Sequence, residues 1–130
     1  MIVLVALMLT GLVAVVGLAA DGGIVFAQRR DLQNVADAAA LAGAMQLDER
    51  AYRESGTVTL DAAVAEHVAT QYLADTGDLA YTVAASETGV EVQASRQAST
   101  SFLRVIGIDG VEISASARTE TRHGIDSPDR

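Results

Sequence analysis

The sequence predicts an α/β chain: one long N-terminal helix, membrane-spanning and then amphipathic, carrying a small α+β head with a short antiparallel sheet. Three observations predict it. Positions 1–20, MIVLVALMLTGLVAVVGLAA, hold no charged side chain. Residues 28–54, QRRDLQNVADAAALAGAMQLDERAYRE, place apolar groups at helical spacing with no proline among them. Val111, Ile113, Ala115 and Ala117 alternate with Glu112, Ser114, Ser116 and Arg118, the period of a half-buried strand.

At 130 residues and 13.5 kDa the chain has room for one small domain. There is no cysteine, which excludes a disulfide scaffold, a thiol nucleophile and a thiolate metal site. The formal net charge is -8, with 9 basic residues, all of them arginine, against 17 acidic ones. That balance excludes general nucleic-acid binding, which depends on neutralising phosphates.

The opening segment predicts a span of the bilayer. Twenty residues make a helix of about 30 Å, the thickness of the hydrocarbon core. A cleaved secretory signal requires a basic stretch ahead of the apolar run, and nothing basic precedes Ile2. The transmembrane or filament-core segment is set at 1–27. Thr10, Ala14, Gly17 and Asp21 are spaced four, three and four apart, so they share one side of this helix. Small residues there suit close approach of a second helix in lipid. Asp21 is expected to mark the end of the span, or to pair with an arginine or amine of a neighbour. Arg29 and Arg30 are the nearest cations. Taken from Met1, the positive-inside rule sends the head to the cytoplasm; a basic leader removed or left out of this sequence gives the same pattern.

Residues 28–54 predict an amphipathic continuation of the helix. Leu32, Ala36, Ala39 and Gly43 form its packing stripe, and Ser55–Gly56 stops it. The head is set at 55–122. A second helix over 60–74 repeats Leu60, Val64, Val68 and Tyr72, with Thr59 as its N-cap. Leu79–Ala85 and Val90–Ala94 predict two strands joined through Glu87–Gly89 as a hairpin. Ser99–Val105 predicts a short helix, and Val111–Ala117 the last strand. The tail, 123–130, is polar and turn-like.

Catalytic and metal-binding patterns are absent from the sequence. His67 and His123 have no companion at ligand spacing. The serines lack a histidine with an orienting acid. Gly107-Ile-Asp-Gly110 lacks the lysine of a phosphate loop. The turn Asp75–Asp78 offers too few ligands for calcium. No catalytic, cofactor-binding or metal-ligating residue is therefore assigned, no cofactor is expected, and the chain is read as no enzyme.

The segment from Arg30-Asp-Leu32 through Asn34, Asp37 and Leu41 to Ala44 resembles the hallmark of the TadE/TadG-like proteins of the tight-adherence (Flp) pilus system. The likeness is greatest to the TadG-like N-terminal domain, where the membrane helix ends in an aspartate followed by glycine, here Asp21-Gly22. Phe102-Leu-Arg-Val-Ile-Gly107, followed by Val111–Ala117, is similar to the end of pilin-like heads. Counting from Met1, Val5 stands where many type IV pilins carry a glutamate.

The resemblance implies a type IV pilin-like architecture and a structural pilin-like or minor pilin subunit. It implies a basic leader cut on the cytoplasmic side and a helix held in the bacterial inner membrane. The head then lies outside the cytoplasm, or in an extracellular pilus. The implied partners are copies of itself or other pilins through the N-terminal helix, the pilus assembly machinery and the lipid bilayer. Helical spacing, read apart from the resemblance, assigns assembly and packing to Thr10, Ala14, Gly17, Asp21, Leu32, Ala36, Ala39 and Gly43. The first alternative is a single-pass envelope protein whose head is a protein-binding module of a pilus or secretion assembly. The second, a membrane-tethered enzyme, requires His67 with Glu66 to be catalytic.

Overall fold

The computed structural model describes residues 1–120 of the 130. A single helix, α1, runs without interruption from Ile2 to Ala44, straight through Gly22 and Gly23. Two shorter helices follow, α2 (Glu49–Ser55) and α3 (Ala62–Thr76). Three strands complete the head: β1 (Ala80–Ser86), β2 (Gly89–Ser99) and β3 (Gly110–Glu120). They form one antiparallel sheet in the order β1-β2-β3. The fold is therefore a long N-terminal apolar helix followed by a small α+β domain on a three-stranded sheet. The tail at 123–130, and His123 with it, lies outside the described residues.

The sheet's register places the apolar alternation of both long strands on one face. Val92 stands opposite Ala117, and Ala94 opposite Ala115. That face is covered by the C-terminal half of α1 and by α3. Leu32, Ala36, Ala39 and Ala40 of α1 are fully buried against it, as are Ala65, Ala69 and Leu73 of α3. The core is built mostly of alanine and valine, so the elements lie close together. Gly43 marks the close approach of α1 to α3 and β2. A Cβ there would stand 2.9 Å from the Ala65 carbonyl oxygen and 3.2 Å from Cγ2 of Val90. The opposite face of the sheet, with Glu91, Gln93, Glu112 and Ser114, is open and polar.

The long helix ends sooner than its alanine-rich pattern predicts. It stops at Ala44 instead of continuing to Arg53, and α2 is a separate helix. The cause is a knot of backbone bonds. Asp48 donates its N–H to Thr59 O at 2.8 Å, and Asp61 donates to Gln46 O at 3.0 Å. Leu47 and Leu60 pair as an isolated bridge. The Asp48 carboxylate then caps α2, accepting from the N–H groups of Arg50 and Ala51. Gly56, at φ 71, closes α2 in the left-handed conformation that glycine adopts without steric cost.

Two details of α3 differ from expectation. Its N-cap is Asp61, whose carboxylate accepts from Val64 N–H, and not Thr59, whose carbonyl is committed to Asp48. Its buried stripe is Ala65, Ala69 and Leu73; Val64 and Tyr72 are exposed. The smaller residues face inward because α1 approaches so closely at Gly43. The short helix expected at Ser99–Val105 is a 3-10 turn, Leu103–Ile106, and Ser99 is the last residue of β2.

Candidate functional site

The face of α1 that meets the head has two parts. Residues 28–44 pack onto the sheet and α3. Leu32, Ala36, Ala39 and Gly43 all lie in that buried seam. Polar clamps flank it. Arg96 on β2 bonds Asp31 at 2.8 Å and reaches the Gln28 carbonyl at 3.3 Å. Gln33 donates from Nε2 to Ser116 O at 2.9 Å and to Asp37 at 3.0 Å.

The second part lies deeper in the apolar half. Among residues 1–20 only Gly17 is buried. Above it, Asp21 is fully buried, the one buried charged residue of the described chain. Both are covered by the β2–β3 connection. The Asp21 carboxylate accepts three backbone N–H bonds: from Ser101 at 2.9 Å, from Phe102 at 2.8 Å and from Leu103 at 2.6 Å. These N–H groups lead into the 3-10 turn at Leu103–Ile106, whose first donors have no partner of their own. Asp21 thus caps a helical turn that belongs to another element. Its negative charge suits the positive end of that turn. One helical turn away, the Phe102 ring lies on Gly17; a Cβ there would stand 2.5 Å from Phe102 Cδ1.

The connection itself is internally braced. Thr100 donates its hydroxyl to Ile108 O at 2.6 Å, and Ile108 N–H bonds Leu103 O at 3.0 Å. Gly107, at φ 89, turns the chain back. Arg104 and Asp109 pair across its rim at 3.6 Å, both exposed.

Of the eight residues singled out in the sequence, six meet the protein's own head. Thr10 and Ala14 are exposed, the Thr10 hydroxyl donating to Ala6 O at 2.9 Å. Gly17 and Asp21 face the β2–β3 connection, and the Asp21 carboxylate is held by backbone N–H groups of residues 101–103. Its partners at 101–103 were missed because they are backbone groups, invisible in residue identities. The signal was a carboxylate set in an apolar run, which demands a partner wherever it is buried. His67 and Glu66 are both exposed on α3. No group of three or more histidine and acidic side chains that could hold a metal occurs among the described residues.

These features define a class: a single apolar helix able to cross a membrane, continuous with the spine of a small α+β head. Residues 1–46 match the family described as putative Flp pilus-assembly TadE/G-like. The match ends two residues beyond α1, so it covers the span and the helical spine. No curated protein and no solved structure matches the chain. The N-terminal segment is thus similar to the TadE/G-like family over a helix long and apolar enough to cross a membrane.

Proposed function

We propose that the chain is a structural, pilin-like or minor pilin subunit. It is anchored in the bacterial inner membrane by α1, with its head outside the cytoplasm. It assembles through that helix into, or together with, an extracellular filament. The observation that supports this most is the division of labour along α1. From Leu32 to Gly43 the helix buries its small face in its own head; from Ile2 to Val16 every residue is exposed. A bare apolar helix of about 22 Å is surface that lipid or neighbouring helices must cover. The assembly partners are then copies of the chain, other pilins and the machinery that moves them between bilayer and filament. The domain division follows: a membrane or filament-core segment at 1–27, a spine beyond it, and the head.

Purified filaments decide this reading. Filaments sheared from cells and probed for this chain are expected to contain it. Its retention in the inner membrane of cells that make abundant filaments would overturn the proposal.

One observation favours a second reading, a single-pass envelope protein whose head serves an assembly without entering the fibre. Gly17 and Asp21, half of the small-residue side of the span, are covered by the head itself. Helix-to-helix contact is left with Thr10 and Ala14 on that side.

A further inference from the structure

We infer that the β2–β3 connection, Ser101–Asp109, is a second membrane contact, an apolar loop that the head inserts into the lipid beside its own helix. This rests on the reading of α1 as a membrane span. The covering partner is the acyl and interfacial region of the bilayer that α1 crosses.

The first support is position. Phe102 sits on Gly17, and Asp21 is clasped by residues 101–103. Gly17 lies inside the charge-free run 1–20, about 18 Å along the helix from Arg29. Whether the interface falls at Asp21 or at Arg29 and Arg30, the Phe102 ring is on the membrane side of Asp21. The loop shares the depth of that helix because it is bonded to it.

The second support is what the loop shows outward. Phe102 is 49% exposed, Val105 84% and Ile106 72%, and Ile108 is exposed as well. Phe102 rests one side of its ring on Gly17, yet four large apolar side chains in seven residues are left exposed. The loop is also braced, by Thr100 to Ile108 and by Gly107, so these side chains stand out from a fixed turn. Continuity decides the occupant. Phe102 packs on Gly17, the residue that follows the bare run Ile2–Val16, so lipid around that run reaches the loop.

The third support is electrostatic. A carboxylate in or beside hydrocarbon must be compensated locally. The loop's three N–H groups do this for Asp21, and Asp21 does the same for the unpaired donors of the 3-10 turn. Neither polar set then faces lipid. Arg104 and Asp109, at the two ends of the turn, can reach the headgroups as long side chains do at interfaces.

The chain has no cysteine, so single-cysteine labelling is clean. Full-length protein is reconstituted at a high lipid-to-protein ratio in phosphatidylcholine–phosphatidylglycerol vesicles. A nitroxide is placed in turn at Ile106→Cys, Val13→Cys and Glu87→Cys. Accessibility to oxygen and to a water-soluble nickel complex is then compared. The expected result is that labels at 106 and 13 favour oxygen, while 87, in the β1–β2 turn, favours nickel. A label at 106 that favours nickel while 13 favours oxygen would overturn the loop contact and leave the span intact. Labels at 13 and 106 that both favour nickel would overturn the span and the loop together. A label at 106 shielded from both reagents would show a protein occupant and also overturn the proposal. Val105→Cys repeats the test if the label at 106 perturbs folding.

Discussion

Single atoms decide how closely the head and its helix can meet. Each Asp21 oxygen has work: Oδ1 accepts from Ser101, and Oδ2 from Phe102 and Leu103. Asp21→Asn keeps the shape but turns an NH₂ toward backbone donors. At least one buried N–H then loses its acceptor. Amide exchange at 101–103 is expected to quicken by about tenfold or more, with residues 90–94 of β2 unchanged, as read by hydrogen exchange of the full chain in detergent micelles. Unchanged exchange at 101–103 would mean the carboxylate does not hold the loop. Gly43 is the other such residue. Backbone oxygen and two side chains leave no room for a larger group, so Gly43→Leu is expected to lower head stability by about 3 kcal/mol. At Gly11 the space a Cβ would take is open, with no atom within 4 Å, so Gly11→Leu is the matched control and should leave thermal unfolding unchanged.

At the scale of elements, the strands were the most legible. Two-residue alternation in Val90–Ala94 and Val111–Ala117 fixes which face is buried, and the observed register sets Val92 opposite Ala117 and Ala94 opposite Ala115. The helices were legible in kind but less so in extent. An alanine-rich pattern carries no strong period, so Val64 and Tyr72 outweighed Ala65 and Ala69 in the reading of α3, although packing against Gly43 favours the smaller pair. The break after Ala44 depends on Leu47 meeting Leu60, a contact between segments that no local pattern encodes. Asp48 was the local sign of it. Asp48→Ala is expected to cost α2 about 1 kcal/mol, seen as faster amide exchange at Arg50 and Ala51 while α1 is unaffected. The clasp on Asp21 was legible only as an unexplained charge, because its other half is backbone. The clamp between Arg96 and Asp31 is more modest: Asp31 is largely exposed, so Asp31→Asn should change stability by about 1 kcal/mol or less.

For the whole molecule, charge and hydropathy divide at Asp21. The entire net charge of -8 belongs to residues 21–130, since positions 1–20 have no charged side chain. Arg29 and Arg30 favour a head on the cytoplasmic side, by the rule that basic flanks stay inside. The pilin-like reading needs the opposite. The fold supplies a way to measure which holds. Arg50 and Arg53 sit in α2, exposed and far along the chain from the membrane. Trypsin added to intact spheroplasts is expected to cut there while the span remains in the membrane. Arg104, beside the lipid, is expected to resist until detergent is added. Cutting at Arg50 and Arg53 only after the membrane is opened would place the head in the cytoplasm. The filament reading would then fail, while the clasp between Asp21 and the β2–β3 connection, which has no sidedness, would stand.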